Sequence, residues 1–132
     1  MWYSMGIALL LFGGARGAHA VLSAATAAAT GVACFLALKR AFRRRRPCAF
    51  LKCCWADLLP PDQFSFPSGH SITAFSVVMC LCHFYPATTA GLAFCAVSVA
   101  ISRIMLGMHF LSDVVAGSVL GAVLGYLAFL LI

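Results

Sequence analysis

Long apolar stretches separated by short polar segments are the feature that most constrains how this chain can fold. Of its 132 residues, 64% are hydrophobic and only 9% are charged, whereas about 25% of the residues in ordinary soluble domains are charged. A chain this apolar cannot cover a water-facing surface, so we expect a lipid bilayer to surround much of it. Each spanning helix needs roughly 20 apolar residues. We therefore predict an all-α, multi-span transmembrane helix bundle of about five helices, forming a single membrane-embedded domain over residues 1–132.

Proline, glycine and charged residues mark the ends of the apolar stretches. Pro47 and Pro86 each follow one stretch, and proline disfavours a helical conformation in the residue before it. The predicted helices cover residues 2–13, residues 19–38 with a continuation through a basic run to Arg46, residues 68–85, residues 87–106, and residues from near His109 to 132. The first stretch is short for a span, so either it is only partly inserted or the N-terminal part of the domain is incomplete. A partner subunit could supply a missing helix, and the chain could also form a homo-oligomer.

The last apolar stretch contains a regular stripe of glycines. Gly117, Gly121 and Gly125 recur every four residues and therefore lie on one face of a helix. Small residues at this spacing let another helix approach closely. We interpret the stripe as a helix-packing face rather than a binding site.

The charged residues are gathered rather than scattered. Six of the nine Lys and Arg residues lie between Lys39 and Arg46, a run that suits anionic lipid headgroups or a phosphorylated substrate better than nucleic acid. The acidic residues number only three: Asp57, Asp62 and Asp113. Two-metal phosphatases hold their ions with several carboxylates and histidines, so we expect no metal and no cofactor. A zinc site or disulfide from Cys48, Cys53 and Cys54 is a weaker alternative.

Alternation of antiparallel helices predicts which polar segments meet. The end of the second apolar stretch and the start of the third lie on one membrane face, and the end of the fourth and start of the fifth return to it. Residues 39–46, 68–70 and 103–113 should therefore converge at one surface.

The residues that converge there suit phosphate chemistry. Arginine offers a planar fork to phosphate oxygens and lysine a point charge, which makes Lys39, Arg46 and Arg103 candidate phosphate ligands. The turn at Ser68 and Gly69 opens a helix, whose unpaired N–H groups attract anions.

Two histidines flank this cradle. His109 and Asp113 are four residues apart and would share a helical face, so that the carboxylate could bond one imidazole nitrogen and leave the other to attack phosphorus. His70 could protonate the leaving group.

Three motifs occur in order: Lys39-x6-Arg46-Pro47, Pro67-Ser68-Gly69-His70, and Ser102-Arg103-x5-His109-x3-Asp113. They resemble the signature of the type 2 phosphatidic acid phosphatase superfamily over residues 39–132. The resemblance implies metal-independent hydrolysis through a phosphohistidine intermediate. It implies His109 as the nucleophile, Asp113 as its orienting partner and His70 as the acid. The implied phosphate-binding residues are Lys39, Arg46, Ser68, Gly69 and Arg103. Membrane members of that family usually have more spans than this chain has room for.

We therefore predict an enzyme that removes phosphate from a membrane lipid, with a polyprenyl diphosphate or a phosphatidyl-type lipid as substrate. The main alternative is a non-catalytic membrane protein that binds anionic headgroups through its basic run. A phosphatase that acts on a water-soluble sugar phosphate and an enzyme of vanadate-dependent halide oxidation are weaker alternatives. Arg40, Arg43, Arg44 and Arg45 are interpreted as headgroup or topology residues, and His19 and His83 as packing residues.

The resemblance favours a bacterial plasma membrane with the site on its outer face. The positive-inside rule would instead place the arginine run in the cytoplasm.

Overall fold

The computed structural model describes residues 2–47 and 64–132, and within these ranges the regular structure is helical apart from one isolated bridge. The α-helices are α1 Trp2–Phe12, α2 Gly14–Phe42, α3 Gly69–Phe84, α4 Thr89–Met105 and α5 Leu111–Leu131, with a short 3-10 turn at Pro86–Thr88 before α4. Within these ranges, three segments are long and apolar enough to cross a membrane: α2, the stretch Pro86–Met105 and α5. The predicted all-α membrane bundle is thereby confirmed.

The helix α2 ends earlier than the sequence suggested. It stops at Phe42 rather than continuing to Arg46. Arg43 adopts a left-handed conformation with φ of 45°, and its N–H donates to the carbonyl of Lys39 at 3.2 Å. Arg45 then forms an antiparallel bridge with Phe64. The prediction that Pro47 ends the helix was wrong, because the left-handed turn and the bridge redirect the chain before the proline is reached.

The helix α3 lies at the centre of the bundle and packs against α2, α4 and α5. Small side chains let α2 approach it closely, since a Cβ on Gly31 would lie 2.8 Å from Ile72 and one on Gly69 would lie 3.0 Å from the Phe35 ring. These pairings make α2 and α3 antiparallel. The end of α2 therefore lies beside the start of α3, as the alternation of helices predicted.

The glycine stripe of α5 packs on the backbone of α3. A Cβ on Gly117 would lie 2.7 Å from the carbonyl oxygen of Ser68, and a Cβ on Gly121 or Gly125 would lie even closer to the carbonyl oxygen of Ile72 or Ser76. The predicted packing face is confirmed, and its partner is α3.

The helix α5 begins at Leu111, so His109 lies in the loop before it. Gly107 in that loop has φ of 64°, a conformation that glycine adopts at little cost. The N–H of Met108 turns back to donate to the carbonyl of Arg103 at 3.2 Å. The prediction that His109 and Asp113 share a helical face was wrong for this reason.

Candidate active site

Backbone hydrogen bonds join the three polar segments at one end of the bundle. The N–H of Ser65 donates to the carbonyl of Arg44 at 2.7 Å, and the N–H of Ser68 donates to the carbonyl of Asp113 at 3.0 Å. The segment before α3 is therefore bonded to the basic run on one side and to the start of α5 on the other. The structure thus brings the sequence-predicted site residues into one neighbourhood.

His109 is buried, with 5% of its surface exposed. Its Nδ1 lies 2.6 Å from the backbone carbonyl oxygen of Ser65. Because a carbonyl oxygen only accepts, Nδ1 carries the proton and Nε2 keeps its lone pair. Burial, with smaller contributions from the nearby Arg46 and Lys39, lowers the pKa of His109 to about 4 against the opposing effects of Ser65 and Asp113. The ring is therefore neutral at neutral pH, as a nucleophile must be.

Asp113 is fully buried, and both of its carboxylate oxygens have partners other than His109. Oδ2 accepts the N–H of Phe110 at 2.9 Å and Oδ1 accepts Nη1 of Arg44 at 2.8 Å. The negative charge of Asp113 still raises the pKa of His109. The predicted direct bond between Asp113 and His109 was wrong. His109 precedes the helix, and the carboxylate of Asp113 instead caps the first turn of α5.

The three predicted phosphate-binding cations lie close to the two histidines. Arg46 is buried, donates to the carbonyl of Met108 at 3.3 Å and acts electrostatically on both His70 and His109. Arg103 also acts on His70. The ammonium of Lys39 is buried beside Arg46. A group of cations this dense favours an anionic ligand.

The start of α3 supplies further anion-binding groups. The N–H groups of Gly69, His70 and Ser71 belong to its first turn, and none of them has an acceptor among residues 2–47 and 64–132. Such amides lie at the positive end of the helix dipole.

Ser68, predicted as a phosphate-binding residue, also has a structural role. It is fully buried, its N–H is engaged by Asp113, and its hydroxyl oxygen accepts the hydroxyl of Ser71 at 3.0 Å. The Ser68 amide therefore joins α3 to α5, and phosphate binding by this residue would fall to the hydroxyl proton.

Two residues outside the predicted site, Arg44 and Ser65, contact it. Arg44 was assigned to headgroups or topology, yet its side chain pairs with Asp113. In an extended segment alternate residues share a side, so Arg44 would be expected on the side of Arg46 once the end of α2 at Phe42 is known, but the sequence alone does not mark that end. Ser65 acts on His109 through its carbonyl, which no side-chain pattern reveals.

The remaining predictions from the sequence concern His83, metal binding and five residues of the segment before α3. His83 stacks on Phe129, with ring centroids 4.6 Å apart, as expected of a packing residue. The described ranges contain no group of three or more His, Cys, Asp or Glu residues that could hold a metal ion. Asp57, Asp62, Cys48, Cys53 and Cys54 lie outside the described residues.

Comparison with known proteins points to one family. The sequence profile of the PAP2 superfamily matches residues 20–132. A lipid A 1-phosphatase from Rhizobium johnstonii is 35% identical over 64% of this chain and 36% of its own length. A phosphatidylglycerophosphatase B from Bacillus subtilis is 37% identical over 55% of this chain and 41% of its own. A decaprenylphosphoryl-5-phosphoribose phosphatase from Mycobacterium tuberculosis is 40% identical over 67% of this chain and 48% of its own. This chain therefore spans less than half the length of these relatives.

The fold agrees with the sequence comparison. The crystal structure of a transmembrane PAP2-type phosphatidylglycerolphosphate phosphatase from Bacillus subtilis superposes with a TM-score of 0.68 and 28% identity. The match covers 96% of this chain and 64% of that one. The profile, the relatives and the fold agree: this chain is an integral membrane protein that belongs to the PAP2 superfamily.

Proposed function

We propose that this protein hydrolyses a phosphate ester or diphosphate on a membrane lipid, through a phosphohistidine at His109 and without a metal. The single observation that carries the proposal is the bond between Nδ1 of His109 and the Ser65 carbonyl. It fixes the tautomer that leaves Nε2 nucleophilic, beside Arg46 and Lys39. An anion-binding protein would have no need of a neutral, oriented imidazole among its cations.

The proposed reaction has two steps. In the first, Nε2 of His109 attacks phosphorus, a P–N bond forms, and the P–O bond to the leaving group breaks as His70 gives that oxygen a proton. In the second, water attacks phosphorus and gives a proton to His70, a new P–O bond forms, and the P–N bond breaks, which releases inorganic phosphate and returns His109 to its neutral form. The Ser65 carbonyl and the charge of Asp113 stabilise the positive ring of the intermediate.

The phosphate would be held by charge and by backbone amides. Lys39, Arg46 and Arg103 would neutralise the phosphate oxygens, and the amides of the first turn of α3 at Gly69 would hold them in place, with the Ser68 hydroxyl as a further donor. Positioning and charge stabilisation of this kind account for most of the catalysis in phosphoryl transfer.

A lipid substrate is supported by the membrane fold and by the relatives, whose names all describe phosphatases of lipid-linked phosphates. We propose a polyprenyl diphosphate or a phosphatidyl-type lipid, bound with its phosphate at the interface and its tail in the bilayer. The single domain would act alone, as a homo-oligomer or with a partner subunit.

We propose the bacterial plasma membrane as the location, with the site on the outer face. The three relatives are bacterial. Arg44 and Arg46 bond to groups of the protein itself, so the basic run has fewer charges available as a topology signal than its sequence suggests.

The test is phosphate release by the purified protein in detergent containing EDTA. The panel holds a polyprenyl diphosphate, phosphatidic acid, phosphatidylglycerophosphate and a water-soluble sugar phosphate. We expect the wild type and the control His83→Ala to release phosphate from a lipid, and His109→Ala to be slower by at least about 10³-fold. Equal rates for His109→Ala would refute the nucleophile, and loss of release in EDTA would refute the metal-free reaction. Binding to anionic vesicles without any release would favour the headgroup-binding alternative.

A further inference from the structure

We propose that Arg44 is a positioning residue of the active site, which holds the loop carrying His109 through an ion pair with Asp113. This inference rests on the proposed function, since it concerns the residue that would act as nucleophile. It assigns Arg44 a role apart from those of Lys39 and Arg46, because Arg44 would act through protein groups instead of touching phosphate.

The side chain of Arg44 contacts the residues that follow His109. Its Nη1 donates to Oδ1 of Asp113 and to the hydroxyl of Ser112, both at 2.8 Å. Its guanidinium carbon lies 4.1 Å from the centroid of the Phe110 ring. A planar guanidinium can bond and stack at the same time, whereas an ammonium cannot. Arg44 thus fixes the entry into α5 directly after His109.

The main chain of Arg44 contacts the group that orients the His109 ring. Its carbonyl accepts the N–H of Ser65 at 2.7 Å and the Ser65 hydroxyl at 3.3 Å. The carbonyl of the same Ser65 accepts Nδ1 of His109. Arg44 is therefore joined both to the loop that carries the imidazole and to the acceptor that sets its tautomer.

The ion pair also reaches the His70 side of the site. Asp113 is fully buried, and a buried carboxylate that loses its cation is strongly destabilised. The backbone of Asp113 accepts the N–H of Ser68, two residues before His70. Removing the Arg44 side chain would disturb Asp113 and, with it, the spacing between the two histidines.

Among residues 2–47 and 64–132, the neighbouring Arg43 shows no bond to the loop that carries His109, and it supplies a matched control. Like Arg44, Arg43 is exposed, but its Nε donates to the carbonyl of Arg40 at 3.2 Å, within the basic run itself. A residue that merely attracts headgroups should behave like Arg43. A positioning residue should behave differently, because misplacing a reacting group by about 1 Å can lower the rate by about 10²-fold.

The experiment compares kcat and KM of Arg44→Ala, Arg44→Lys and Arg43→Ala on a lipid substrate that the wild type hydrolyses. We expect Arg44→Ala to lower kcat by about 10²-fold with little change in KM, Arg44→Lys to recover part of the loss, and Arg43→Ala to match the wild type. Added guanidinium ion should raise the kcat of Arg44→Ala but leave Arg43→Ala unchanged. Circular dichroism and elution in detergent check that each variant is folded. If Arg44→Ala is not folded, the comparison of Arg44→Lys with Arg43→Ala still tests the proposal.

A double variant separates the ion pair from other roles. Because residues in one network are non-additive, Arg44→Ala combined with Asp113→Asn should be no slower than the slower single variant. A rise in KM with unchanged kcat, or an Arg44→Ala that behaves like Arg43→Ala, would overturn the inference while leaving the proposed function intact. A folded wild type that hydrolyses no substrate would overturn the proposed function and this inference with it.

Discussion

The imidazole of His109 is oriented by the main chain of Ser65, whose carbonyl oxygen lies 2.6 Å from Nδ1. A main-chain acceptor cannot titrate, so this arrangement keeps one tautomer over a wide range of pH. The carboxylate expected in this role, Asp113, instead pairs with Arg44 and the N–H of Phe110. Ser65 thus orients the ring, whereas Asp113 acts on it only through its charge.

The low pKa of His109 has a consequence for the pH profile. Burial lowers the pKa to about 4 from the usual 6.5, so the neutral, nucleophilic ring persists as pH falls and is lost only near pH 4. We predict that the acid limb of kcat/KM attributable to the enzyme lies well below 6.5, since that limb reports essential groups of the free enzyme.

The substrate has its own ionisation, near pH 6 for a phosphate monoester. Phosphate esters with different pKa values separate the two ionisations in the profile of kcat/KM. The limb due to the substrate shifts with the pKa of the ester, whereas the limb due to the enzyme stays in place. An enzyme limb that stays near 6.5 would argue against a buried, neutral His109.

The contact between Gly117 and Ser68 should tolerate no side chain. We predict that Gly117→Ala lowers the free energy of unfolding by about 1–3 kcal/mol, because overpacking forces helices apart. It should also lower activity, since Ser68 lies directly before the Gly69–His70 turn.

The control for that variant is Gly91→Ala in α4, where an added Cβ would meet nothing within 4 Å. Alanine is favoured over glycine in a helix by roughly 0.5–1 kcal/mol, so this variant should be at least as stable as the wild type. Thermal unfolding in detergent measures both. Equal stability of the two variants would mean that α5 and α3 are not packed as described.

Adjacent cations of α2 should differ sharply in function. Lys39 is buried near Arg46, whereas Arg40 is exposed. We predict that Lys39→Met lowers kcat/KM by about 10²-fold, the usual loss when one preorganised charge-stabilising group is removed, while Arg40→Met changes it less than about twofold. Steady-state kinetics of Lys39→Met and Arg40→Met on one lipid substrate measures this difference. Similar losses for both would indicate that the basic run acts as a diffuse headgroup attractor.

The sequence predicted well whatever depends on apolar length and helix alternation. Apolar runs predicted α3 to within a residue at each end, and alternation predicted that the segments around Lys39, His70 and His109 would meet. The glycine stripe identified the contact face of α5. These properties follow from local composition and from the requirement that neighbouring spans run antiparallel.

The errors lie where backbone geometry departs from a repeating pattern. The left-handed conformation of Arg43 ends α2, and nothing in a run of four arginines marks which one turns. His109 lies in a loop because α5 begins at Leu111, so the four-residue spacing to Asp113 did not report a shared face. Ser65 contributes a carbonyl that every residue has, and its role emerges only from tertiary structure.

The central claim is a phosphoryl group carried by His109, and trapping that group tests it most directly. The protein is mixed with a lipid phosphate that it hydrolyses, quenched rapidly in alkali, digested and sequenced by mass spectrometry, with His109→Ala examined alongside. A phosphohistidine mechanism predicts a phosphorylated peptide that contains His109 and that is absent from His109→Ala. Turnover with no phosphorylated His109 at any quench time, or a phosphoryl group found on another residue, would contradict it.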